Sequence, residues 1–200
     1  MVGGKITGMV FMVNGDSLDY ASVFNELLDS SDRAVAVVGG ALVDELLGRA
    51  LKEFMRQSDG LDTLFKDRGP LSTFSSKIDL GYYLGCYGTE VHQDLNILRK
   101  LRNNFAHDLD AKFANQSIAD RVSNFSLARR YAVNLSAPDP DYPVTTPDNL
   151  IDYRFWIGVR TDDLQATFSD PKQHFLVEIQ TLVWAISATH GHRTTIGRLG

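Results

Sequence analysis

The sequence predicts an all-α fold: a single helical bundle domain over residues 1–200, interrupted by a long proline-rich irregular excursion. Two observations carry this. Long segments repeat apolar residues at three- and four-residue steps, the spacing of one helix face. Five of the six prolines fall between Pro138 and Pro171, so the remaining chain is nearly free of helix breakers. Apolar residues make up 44% and charged residues 22%, a balance that places the chain among folded globular domains.

Residues 1–16 carry four glycines and read as a loose N-terminal arm. Residues 17–29 place Val23, Phe24, Leu27 and Leu28 at helical spacing, with Ser17 or Asp19 as a cap. The segment 30–57, SSDRAVAVVGGALVDELLGRALKEFMRQ, is capped by Ser31 or Asp32. It shows two stripes: Val35, Val38, Leu42 and Leu46, then Val43, Leu47, Ala50, Leu51 and Phe54. A helix apolar on two sides is a central one. Gly39 and Gly40 inside it each cost about 1 kcal/mol against Ala, which points to close approach by a neighbouring helix. A polar loop over 58–69 leads to Pro70, expected in the first turn of a helix 70–84. Glycines end that helix, and Thr89 is expected to cap the next, over 89–106. A short helix follows near 117–124. The segment 136–170 reads as irregular, with a strand near Tyr153–Arg160. A helix over 171–189 precedes a fraying tail, 190–200.

Composition narrows function. A net charge of −5 argues against broad coating of nucleic acid, while leaving room for a local basic patch. The single cysteine, Cys86, excludes an intrachain disulfide and fits a reducing compartment. The apolar run at 9–13 is too short for a signal segment, and no run reaches the ~20 residues of a membrane span. The chain therefore reads as cytoplasmic and soluble. His92 and His107 have no carboxylate at ligand spacing, so no metal and no cofactor is expected. Walker, Rossmann and nucleophile-elbow patterns are absent, and no helix-turn-helix reader is visible.

One stretch stands out: LRKLRNNFAHDLD, residues 98–110. In the series Val91, Leu95, Leu98, Arg102, Phe105 an arginine interrupts an apolar stripe. Such a guanidinium must be paired, snorkel outward, or face an interface. An ion pair with Asp44 or Glu45 is the plain expectation. Asn103 and His107, four apart, share a helix face. An always-charged donor, an amide and a titratable imidazole thus meet within six residues, a set that suits phosphodiester chemistry. Arg99 and Lys100 add charge beside it, as candidate nucleic-acid-binding residues.

Three blocks, SSDRAVAVVGGALVDELLGRALKEFM, GPLSTFSSKIDLGYYLG and LNILRKLRNNFAH, resemble in order and spacing the mannitol operon repressor (MltR-like) family, over roughly residues 20–135. The resemblance implies an all-helical protein involved in regulation, read here as one that binds other macromolecules, RNA or a protein partner. The stripe that contains Arg102 suits a two-fold interface, so a homodimer with helix 89–106 near the axis is expected. The Arg102-Asn103…His107 core also resembles the R-N-x-x-x-H signature of HEPN domains. That resemblance implies a metal-independent ribonuclease with Arg102 and His107 catalytic and Asn103 orienting them.

Overall fold

The computed structural model describes residues 10–13, 16–130 and 164–196. It is all-α, apart from a small antiparallel hairpin of β1 (Val10–Val13) and β2 (Asp16–Asp19). The first strand of that hairpin and Asp16 lie in the segment expected as a loose arm, while residues 17–19 lie in the segment expected as helix, which starts at Tyr20. The helices are α1 (Tyr20–Leu28), α2 (Asp32–Phe54), α3 (Leu61–Phe65), α4 (Phe74–Tyr83), α5 (Thr89–His107), α6 (Gln116–Ser123), α7 (Leu164–Ser169) and α8 (Pro171–Ile196).

Local chemistry sets the boundaries. Ser31 caps α2, its hydroxyl accepting from the Ala34 amide at 3.3 Å. Thr73 caps α4 through the Ser76 amide at 3.1 Å, so that helix starts at Phe74 and Pro70 stays in the preceding turn. Gly88 precedes α5 without a side-chain cap, and Thr89, expected as the cap, is already helical. Asp170 caps α8 by accepting from the amides of Lys172 and Gln173, which puts Pro171 in the first turn. Helix α8 continues to Ile196, through much of the segment expected to fray. Helix α3 forms inside the expected polar loop, and α7 inside the expected irregular segment. The expected strand near 153–160 lies outside the described residues.

Helix α2 packs on α1, α4, α5 and α8. Helix α8 is the more enclosed of the two long helices. Every residue from His174 to Val183 is buried, so its apolar surface is covered all round. The paired glycines of α2 admit two different neighbours. A Cβ on Gly39 would lie 2.4 Å from Cδ1 of Ile179 on α8, and one on Gly40 would lie 2.9 Å from Cβ of Arg102 on α5. Leu95, Leu98, Leu101 and Phe105 of α5 complete the core.

Two carboxyl groups are buried where α5 and α8 meet the turn after α6. Asp94 Oδ2 accepts from the amides of Ser126 and Leu127 at 3.1 and 2.8 Å, and Glu178 Oε2 accepts from the Ala128 amide at 3.0 Å. Together they cap the helical turn that opens at Leu127. Their other oxygens, Asp94 Oδ1 and Glu178 Oε1, are buried and lack a protein donor. Glu178 is the group whose carboxyl can carry the missing donor as a proton. Burial, then the charge of Asp94, holds the Glu178 carboxyl well above the usual carboxylate range. One turn earlier, burial, then the charge of Arg129, lowers His174 to about 4.

These two groups act in opposite directions on stability. Above 4.5, the ordinary value for Glu178, the folded chain holds a proton that the unfolded chain has lost, so stability falls as pH rises. Between 6.5 and about 4 the unfolded chain protonates His174 and the folded chain does not, so stability falls as pH drops. Replacing Glu178→Gln keeps a donor toward Asp94 and removes the first effect. The variant's melting temperature should therefore decline less than the wild type's on going from pH 5 to pH 9. Superimposable profiles would show that Glu178 is ionised in the folded protein. A second expectation concerns the α2–α5 contact. Gly40→Ala should cost about 1–3 kcal/mol in urea denaturation, because the Arg102 Cβ is too close to its own backbone to yield. Gly60→Ala, where a new Cβ meets nothing within 4 Å, serves as the near-neutral control.

Candidate nucleic-acid interface

Helix α5 is amphipathic, and its apolar stripe fixes where the polar residues point. Val91, Leu95, Leu98 and Phe105 are buried, and Arg102 occupies the remaining place in that stripe, half-buried. Its methylenes lie against Gly40, and its guanidinium turns outward so that Nη1 donates to Asn103 Oδ1 at 3.3 Å. Arg102 thus snorkels. The expected ion pair with Asp44 or Glu45 does not form, because nearer cations take both acids. Lys77 of α4 pairs with Asp44, and Arg49 pairs with Glu45 at 2.9 Å.

The Asn-Asn pair divides its work. Asn103 serves Arg102. Asn104, with its amide turned to suit its neighbours, donates to the Lys100 carbonyl at 3.2 Å and accepts from Arg121 of α6 at 3.0 Å. His107 is exposed and forms the last residue of α5. The continuous helix puts it one turn beyond Asn103 on the same side. Arg102 and His107 are five positions apart, on different sides of the helix.

The end of α5 is held from α2. Arg33 donates through Nη1 to the Phe105 carbonyl and through Nη2 to the Asp108 carbonyl. These acceptors lie at the negative end of the helix, where a cation is favoured. The neighbouring Asp32 accepts from the Phe113 amide at 3.0 Å and faces Lys172 at 3.7 Å. The SDRA and RNNFAH stretches, far apart in sequence, are therefore in direct contact.

Arg99 lies one turn before Arg102 and Asn103. Its Nη2 donates to Asn96 Oδ1 at 3.4 Å, while its Nε is buried without a partner. Lys100 is exposed. None of Arg99, Lys100 and Arg102 is ion-paired to a carboxylate of a described residue, which is also true of Arg33, Arg121 and Arg129, whereas Arg49, Lys52, Lys77, Arg130 and Lys172 are paired. An arginine group left partly desolvated and unneutralised is a good receptor for an external anion.

Sequence reasoning missed the residues that continue this face toward the start of α5. His92 Nε2 lies 3.2 Å from Asp79 Oδ1 and 3.4 Å from Asn96 Nδ2, and its ring stacks on Tyr82 at 4.4 Å between centroids. The spacing 92, 96, 99, 103 was the available signal, since these positions recur at helical steps.

A cleft of about 590 Å³ opens beside Asp32, Phe113, Ser169, Asp170 and Lys172, and none of the α5 candidates lines it. Those candidates sit on an open helix face. No group of three or more histidine, cysteine, aspartate or glutamate side chains suited to a metal occurs among the described residues. No helix among the described residues is long and apolar enough to cross a membrane.

Comparison with known proteins gives one family. No curated protein and no solved structure matches significantly. The family model described as mannitol repressor matches residues 36–151, a span that takes in most of α2 and all of α3 to α6. The chain belongs to the mannitol repressor family.

Proposed function

We propose that this regulator acts by contacting the phosphate backbone of a nucleic acid, RNA in the first instance, through Arg99 and Arg102 on one flank of α5, with the exposed Lys100 beyond Arg99 round the helix. The observation that supports this reading is a run of cations with no carboxylate partner among the described residues, in a chain whose net charge is −5. Duplex DNA fits this face poorly. Helix α5 packs on α2, α4, α6 and α8, so it does not stand free to enter a major groove. The lone, buried Cys86 fits a reducing compartment, and the protein is read as cytoplasmic. It works as a homodimer with the end of α5 near the two-fold axis. Val38 of α2, 46% exposed and two residues before the Arg102 contact at Gly40, offers apolar surface for such pairing.

A second reading is favoured by the Arg102–Asn103 hydrogen bond. Asn103 there orients a guanidinium, as a ribonuclease of the R-N-x-x-x-H type requires. Arg102 would hold the phosphate and His107 would pass a proton to or from a ribose or leaving oxygen.

Purified protein mixed with total RNA separates these readings. Under the first, RNA is bound intact, and Arg99→Gln with Arg102→Gln weakens binding at least tenfold and flattens its salt dependence by about one unit per lost phosphate contact. Wild-type protein that binds no RNA at low salt refutes it. Under the second, wild type cuts RNA in the presence of chelator, while Arg102→Ala and His107→Ala do not. Light scattering that returns the monomer mass at micromolar concentration counts against the dimer.

A further inference from the structure

The corner between α4 and α5 carries an aromatic group with no core role. Tyr83 is 83% exposed, the largest aromatic so displayed among the described residues. Its ring meets that of Tyr82 edge-on at 5.4 Å between centroids, and Tyr82 stacks on His92. The backbone fixes the display. Gly85, at φ +70°, lets the Cys86 amide return to the Gly81 carbonyl and the Gly85 amide to the Tyr82 carbonyl, both at 2.9 Å. This tight helix end halts α4 directly after the two tyrosines. Tyr82 is steadied by its hydroxyl, 3.3 Å from Thr89 Oγ1.

The aromatic group is joined to the cationic face. His92 touches Asn96, and Asn96 accepts from Arg99. One turn on, Arg102 donates to Asn103. The track runs Tyr83, Tyr82, His92, Asn96, Arg99, Arg102. At about 1.5 Å per residue, His92 to Arg102 spans roughly 15 Å, the reach of a few nucleotides. Asp79 is held against His92 at the aromatic end, so its negative charge lies near where a base would sit and away from the arginines.

We infer that Tyr83, backed by Tyr82 and His92, is a base-stacking platform, and that this face takes unpaired nucleotides of a single-stranded RNA. The inference rests on the phosphate-binding reading of α5 and adds the recognised group. Cations alone are indifferent to strandedness. An exposed aromatic ring set beside them is what single-strand binders use, because every base offers a stacking face once it is unpaired. A duplex keeps its bases stacked on one another and gains nothing from the platform.

The test is fluorescence anisotropy with three labelled probes of about ten nucleotides: oligouridylate, an abasic strand with the same phosphates, and a matched duplex. Wild type should bind oligouridylate about tenfold more tightly than the other two, the lower range for one base–aromatic stack. Tyr83→Ala should remove that preference and leave abasic affinity unchanged. Tyr83→Phe should retain it. Arg102→Gln should weaken all three probes together. Equal wild-type binding of oligouridylate and abasic strand overturns the platform and leaves phosphate binding standing, with Tyr83 then reassigned to a protein contact. Loss of all probe binding in wild type at low salt overturns both.

Discussion

The structure hangs on the first turn of α2. Three consecutive side chains there perform three different tasks. Ser31 caps its own helix, Asp32 receives the amide of Phe113, and Arg33 takes the carbonyls at the end of α5. A helix end leaves carbonyls without intrahelical donors, and here a single guanidinium supplies donors to two of them. Lys172 closes the group from α8, donating to the Ser30 carbonyl at 2.6 Å. The start of α2, the end of α5, the turn after it and the start of α8 are thereby fixed at one place. Asn103 and His107 inherit their positions from that junction.

Much of the fold was legible because helix periodicity and caps are local. The two stripes of α2, its Ser31 cap and the boundaries of α5 follow from residues within a few positions of one another. Gly39 and Gly40 announced close approach, and the structure supplies the two approaching side chains. The differences arose where two local caps compete or where a distant residue decides. Pro70 is compatible with a first helical turn, but Thr73 offers the better cap and the helix starts there. Asp44 looked free for Arg102 until Lys77 arrived from α4. Position 178 is an isolated acid in an otherwise apolar run. Its burial depends on Asp94 and on the Ala128 amide, and neither is visible from the neighbouring sequence.

The candidate site was legible in part for the same reason. An arginine within an apolar stripe is a local anomaly, and it led to a half-buried guanidinium with no carboxylate partner among the described residues. The direction of its guanidinium was not legible, since it depends on Gly40 of α2 leaving room for the methylenes. The Tyr82–His92 stack joins two helices across a turn, so neither residue signals it alone. What the family match contributes is regulation. What the geometry contributes is that Arg99 and Arg102 have no carboxylate partner among the described residues, in a protein of net negative charge.

The enclosure of α8 has a consequence for how the molecule is made. Its residues fill the groove left at Gly39, and its first turn reaches back to the α1–α2 junction across 142 positions of sequence. Contacts of that separation form late, because the chain entropy of closing so long a loop must be overcome first. During synthesis α1 to α6 can pack on one another, while the surfaces of α2 and α5 that meet α8 stay uncovered until α8 follows. The nascent chain is thus a natural client for chaperones that shield apolar surface, and its maturation depends on completing translation more than on the speed of any single helix.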